Sequence, residues 1–277
     1  MAETVYPETL AKQEGAVRLE PLTPWNIDFG ENRCRLTRMF GSAEDRHLLM
    51  FEQAAPGRYF GLTLAGRSIE RFKTATKVGL GLERDEPMLE IERFGHGTVA
   101  DFGSAVIISA LALNETPPEG ALRAASVDLD AAATIDRIVL QRGKLVVSLE
   151  TGNLKDALAA LNTCSADLLA QWGLDPVEHQ NYVPAFWNNS ETVIARIKAT
   201  YPRVAERRGE QAIIRLRVIV EHDGSVSNCL IDESTIAVTL ESPACKEMQR
   251  ATFNPARNAR GEPMRSFYST TITYALS

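Results

Sequence analysis

A chain of 277 residues holds one large domain or two ordinary ones. With 44% hydrophobic and 24% charged residues, it has the composition of a soluble globular protein with a substantial core. The net charge of −6 argues against nucleic acid as a partner, and the longest apolar candidate, Ala105 to Leu113, falls far short of the roughly 18 to 20 residues that span a bilayer. The charge is uneven: residues from Val193 onward carry 12 Lys/Arg against 9 Asp/Glu, so this part is +3 and the remainder −9. Residues Met1 to Glu20 lack a basic-then-apolar signal pattern, which leaves a cytosolic protein or a mature chain without its leader.

In chain order, residues 1–22 read as an extended arm. Residues 23–175 follow as a β-rich domain, a sandwich or curved sheet with short helices. Its strand signals are the alternation of Trp25, Ile27 and Phe29, the run His47 to Gln53, then Arg58 to Gly66 and Met88 to Phe94. Ile135 to Leu140 and Lys144 to Glu150 flank Gln141-Arg142-Gly143 as a hairpin, with Leu145, Val147 and Leu149 on one face. The period then becomes helical at Leu154, Leu158 and Leu161, with Asn153 as cap. A break is expected at Cys164-Ser165, before a second short helix from Ala166 to Trp172. Residues 176–189 are expected to be a linker, and residues 190–277 a second domain.

That second domain reads α-β-β-α-β. Ser190 caps a helix over Glu191 to Thr200, with Val193, Ile194 and Ile197 inward. Tyr201-Pro202 ends it. From Ala212, residues Ile214, Leu216, Val218 and Val220 face one way and Ile213, Arg215, Arg217 and Ile219 the other. Asp223-Gly224 makes a hairpin turn into Val226 to Ile231. Ser242-Pro243 starts a helix over Ala244 to Thr252. Met264 to Tyr274 is the last strand, so three antiparallel strands are expected.

Little here suggests chemistry. The histidines His47, His96, His179 and His222 are scattered; His96 reads as a loop residue and His222 as a solvated turn residue. Asp128, Asp130 and Asp136 lack calcium-loop spacing. No nucleophile elbow or phosphate loop is present. The four cysteines, Cys34, Cys164, Cys229 and Cys245, form no Cys-x-x-Cys pair and have no histidine at ligand spacing, so neither a metal nor another cofactor is expected. Four buried thiols and three disulfide connectivities remain open on spacing alone.

The punctuation of the last quarter resembles the C-terminal domain of the TonB family of energy transducers, over about residues 192–274. Tyr201-Pro202, Ala205, Asp223-Gly224, Phe253-Asn254-Pro255-Ala256 and Gly261 carry it. The chain departs from the family at Ala212, where Gly is usual, and at Ala251, often aromatic there. It also shows neither the N-terminal membrane helix nor the Pro-rich spacer of the transducers. The resemblance therefore implies the module and not the motor. Cys34-Arg35-Leu36, Phe40-Gly41, Leu158 to Cys164 and Trp172-Gly173-Leu174-Asp175 are similar to uncharacterised domains paired with such modules in sphingomonad-type bacteria.

The resemblance implies a periplasmic, non-enzymatic protein with a protein partner in the cell envelope, an outer-membrane receptor among them. It implies disulfides Cys229–Cys245, across a loop of about 15 residues and contributing roughly 3 kcal/mol, and Cys34–Cys164. It also implies peptide binding by strand addition along the final strand, at Ser266, Tyr268, Ser269, Thr270, Thr271, Ile272, Thr273 and Tyr274. A second copy of the module is another occupant of that edge. The alternatives are an anchored energy transducer whose membrane segment is absent from this sequence, and an envelope enzyme with its chemistry in the N-terminal domain.

Overall fold

A computed structural model describes residues 15–82, 87–114, 117–200, 212–233 and 244–274. Backbone contacts divide the chain into two units, residues 1–116 with 125–169 and residues 117–124 with 170–277.

The first unit contains β1 (Val17–Leu19), β2 (Asn26–Phe29), β3 (Cys34–Gly41), β4 (Arg46–Gln53), β5 (Phe60–Ala65), β6 (Val78–Gly81), β7 (Leu89–Ile91), β8 (Gly95–Val99) and β9 (Gly103–Leu111). Helix α1 (Leu129–Thr134), β10 (Ile138–Arg142), β11 (Leu145–Leu149) and α2 (Lys155–Gln171) follow. An antiparallel six-stranded sheet has the order β2-β3-β4-β5-β9-β8. Alternation produces its core face, because every second residue of a strand turns inward: Leu36, Phe40, Leu49, Phe51, Leu62 and Leu64 are all buried. A five-stranded sheet, β1-β11-β10-β6-β7, is antiparallel except where β1 runs parallel to β11. Its centre is buried on both faces, with Ile138, Leu140, Val147 and Leu149 on one side. Val139 and Val146 lie on the other, against Ala16 and Met88.

Three expectations change in this unit. The expected arm is strand-paired over Val17–Leu19, while residues 1–14 lie outside the described part. The expected break at Cys164-Ser165 is absent, and α2 runs straight through it. Both residues face the core and are occupied there: Cys164 bonds Cys34, and the Ser165 hydroxyl donates to the buried Gln53 side chain. Small polar residues often end helices because they compete for backbone hydrogen bonds; these two have partners elsewhere. At the start of α2, Asn153 Oδ1 accepts the Lys155 N–H at 2.9 Å. His96, expected in a loop, lies in β8 with Nε2 3.0 Å from the Ala75 carbonyl oxygen.

The second unit contains β12 (Tyr182–Val183), β13 (Phe186–Trp187), α3 (Ser190–Ala199), β14 (Ala212–Val220), β15 (Val226–Glu233) and α4 (Ala244–Met248). It ends with β16 (Phe253–Asn254), β17 (Ala256–Asn258), β18 (Pro263–Met264) and β19 (Ser266–Tyr274). The main sheet is β15-β14-β19, antiparallel throughout. The α-β-β-α-β order holds, with two small additions: β13 pairs with β16, and β12 joins β17 and β18. Residues 176–189, expected as a linker, supply β12 and β13. Tyr182 and Trp187 are each only 5% exposed, because large aromatic rings at these positions find apolar cover in the module.

Candidate protein-binding edge

The centre of the main sheet is β14, so among the described residues β19 and β15 are its two outer strands. Register places Ile214, Leu216, Val218 and Val220 opposite Ile272, Thr270, Tyr268 and Ser266. The four β14 residues are buried, as are Val193 and Ile197 of α3 and Ala244 and Met248 of α4. The other face carries Arg215 and Arg217 opposite Thr271 and Ser269, and both of these β19 residues are exposed.

The expected strand-addition residues therefore fall into distinct settings. Ser269 and Thr271 face outward and Thr270 is half-buried, whereas Ile272 is buried. Tyr268 packs in an aromatic group, with ring centroids 5.8 Å from Trp187 and 5.2 Å from Phe253; burial raises its pKa. Thr273 and Tyr274 continue the strand opposite Ile213 and Ala212. Ser266 is fully buried and is bound by a residue that sequence reasoning left aside. His179 Nδ1 lies 2.7 Å from the Asp175 carbonyl oxygen, and its Nε2 lies 2.9 Å from Ser266 Oγ. A carbonyl only accepts, so Nδ1 carries the proton and Nε2 accepts from the serine hydroxyl. The His179 ring also packs near Tyr182 and Phe267, at 4.9 and 6.0 Å between centroids.

Trp172 packs edge-on to Phe267 at 5.5 Å and lies 3.6 Å beneath the Arg217 guanidinium. Thus the first two residues of β19 are held by the 172–182 segment, and the exposed side chains begin at Ser269. No sequence signal could find the His179–Ser266 contact, because it joins residues 87 positions apart.

The expected family tokens prove to be mutual supports where they are described. Gly224 has φ +84, and the Phe253 carbonyl oxygen occupies the place where a Cβ would project. The Phe253 N–H donates to the Gly224 carbonyl at 3.0 Å. Asp223 Oδ1 accepts from the Ser225 N–H and hydroxyl, which holds its carboxyl below the usual range. Pro255 separates β16 from β17, and Gly261 takes φ +79 in the turn between β17 and β18. Tyr201, Pro202 and Ala205 lie outside the described residues. Nearby, Glu221 accepts from Ser227 and from Arg265 at 2.9 Å, and Arg265 also donates to the Gly173 carbonyl. Those hydrogen bonds hold the Glu221 carboxyl below its ordinary pKa.

Both expected disulfides are formed, with Cα separations of 5.9 Å for Cys34–Cys164 and 5.5 Å for Cys229–Cys245. Among the described residues no group of His, Cys, Asp and Glu is placed to hold a metal ion, and no helix is long and apolar enough to cross a membrane. In the first unit a groove of about 460 Å³ is lined by Thr74, Lys77, Gly79, Met88, Glu90 and Arg142. Lys77 and Glu90 meet there at 2.6 Å.

The module is thus a three-stranded antiparallel sheet with β19 as an outer strand. Residues 197–276 match the family model for the Gram-negative bacterial TonB protein C-terminal. Domains of that family are non-enzymatic, are typically periplasmic and interact with outer-membrane proteins. A search of curated proteins finds no match to the chain.

Proposed function

We propose that this protein acts in the periplasm as a protein-interaction protein, and that its C-terminal module takes an extended segment of an outer-membrane partner as an added strand on β19. The observation that carries the reading is the placement of β19 at the outside of the main sheet, within the region matched by the family model. Main-chain hydrogen bonds along the strand supply affinity, and alternate side chains supply selectivity. Exposed Ser269 and Thr271 leave the solvent side of the strand low and uncluttered. Two disulfides suit an oxidising compartment.

The test is calorimetric titration of the full chain with extended peptides from outer-membrane receptors. The double variant Ser269→Lys/Thr271→Lys serves as the blocked form, since outward lysines on a sheet edge discourage strand pairing. Binding by the natural protein and loss of binding by an equally stable variant supports the reading. Equal binding by both removes β19 as the docking strand.

A further inference from the structure

The two disulfides sit in opposite settings. Cys34 and Cys164 are 0% and 1% exposed. Cys34 lies on β3, which is paired on both sides, by β2 and by β4. Cys229 and Cys245 are both partly exposed. They join β15, an outer strand of a three-stranded sheet, to α4, a helix of five residues.

Thiol–disulfide exchange needs a thiolate to reach a sulfur in line with the bond, so access decides which bridge reacts. Reaching Cys34–Cys164 requires parting an interior strand from the core. Reaching Cys229–Cys245 requires only movement at a sheet margin, where local opening costs least. A single-turn helix also has no stability of its own. Besides the bridge, α4 is held by burial of Ala244, Glu247 and Met248, and the chain just after it by the Asn189 hydrogen bonds to Arg250 and Thr252.

We propose that Cys229–Cys245 is a redox-modification site: a dithiol reductant opens it while Cys34–Cys164 stays closed, and opening releases α4 from β15. One thiolate of the reductant attacks a bridge sulfur, forming a mixed disulfide and expelling the other cysteine as a thiolate, which takes a proton from solvent. The reductant's second thiolate then attacks the mixed disulfide. Two protein thiols result, and the dithiol leaves as its own disulfide, so two electrons and two protons have passed to the protein. The β14–β19 pairing lies on the far side of β14 from this bridge and is left in place.

The experiment treats the native full chain with dithiothreitol, quenches with an alkylating agent and maps labelled cysteines by mass spectrometry. Hydrogen exchange is followed on the same samples. Cys229 and Cys245 should be labelled at least about tenfold faster than Cys34 and Cys164. Exchange should then rise in α4 and β15 while β3, β4 and β19 stay protected. The variant Cys229→Ser/Cys245→Ser should show that exchange pattern without any reductant. Labelling of all four cysteines together, or of Cys34 and Cys164 first, overturns the selectivity. Unchanged exchange in α4 and β15 after Cys229 and Cys245 are labelled overturns the release.

Discussion

Glycine and histidine do the most specific work at the residue scale. Gly224 is required twice, by its φ of +84 and by the Phe253 carbonyl that fills its side-chain position. Gly143, in the β10–β11 turn, has φ +57 but nothing within 4 Å of its missing side chain. Gly224→Ala should therefore cost ~2–3 kcal/mol, strain plus displacement of Phe253. Gly143→Ala should cost only about 1 kcal/mol, the conformational strain alone. Urea unfolding of the two variants decides this, and equal losses would mean the carbonyl contact contributes nothing. His179 is buried, and burial, the leading cause, lowers its pKa from 6.5 against the opposing pull of the Asp175 hydrogen bond. As pH falls through 6.5 the unfolded chain takes up the proton first, so stability is full above that pH and declines below it. His179→Gln should flatten the pH dependence of unfolding in that window, although it also loses the Ser266 contact. A variant as steep as the natural protein would show that another group titrates there.

Elements follow from sequence wherever one strong local pattern decides them. The alternation in β14, the Asp223-Gly224 turn and the β10–β11 hairpin were all legible, since each depends on neighbours within a few residues. Cys164-Ser165 misled because its meaning is tertiary: the partners that let the helix continue, Cys34 and Gln53, are more than a hundred residues away. The start of α3 shows the same limit. Ser190 was expected as its cap, yet it is the first helical residue and Asn189 precedes it. Asn189 is turned to tertiary work, accepting from Trp187 Nε1 and the Thr252 N–H and donating to the Arg250 carbonyl. The bonds to Thr252 and Arg250 fasten the chain after α4 beside the start of α3, and the third holds the Trp187 ring. Asn189→Ala should cost roughly 1–3 kcal/mol by leaving these groups without their protein partner. Trp187 fluorescence should report a loosened ring before global unfolding. A change within ±0.5 kcal/mol, the ordinary surface range, would show that water replaces the side chain at no loss.

The whole molecule is less legible, because its division does not follow the chain once from end to end. The segment 117–124 belongs to the second unit, where Arg123 and Tyr182 exchange backbone hydrogen bonds of 2.8 and 3.0 Å. The allegiance of this segment was not legible, since one backbone bridge leaves no periodic signal. The candidate edge was legible as a strand of small polar residues, but not the cover on its first two residues. Those contacts set the limits of a stable fragment. Residues 170–277 should unfold cooperatively, whereas residues 190–277 lack Trp172, His179, Tyr182 and Trp187 and should melt at lower temperature with a broader transition. Equal melting of the two would show that residues 170–189 only decorate the module. In the first unit, Cys34→Ala/Cys164→Ala should cost about 4–5 kcal/mol, because the bridge closes a separation of 130 residues. The two bridges also join each cysteine to the next one in the chain, first to second and third to fourth. A chain that emerges from its N-terminus therefore presents Cys34 with its proper partner before any wrong one exists. Cys229 appears only after that pair can close. Oxidation in order of emergence gives the final connectivity, and the slow reshuffling that misjoined bridges demand is not required.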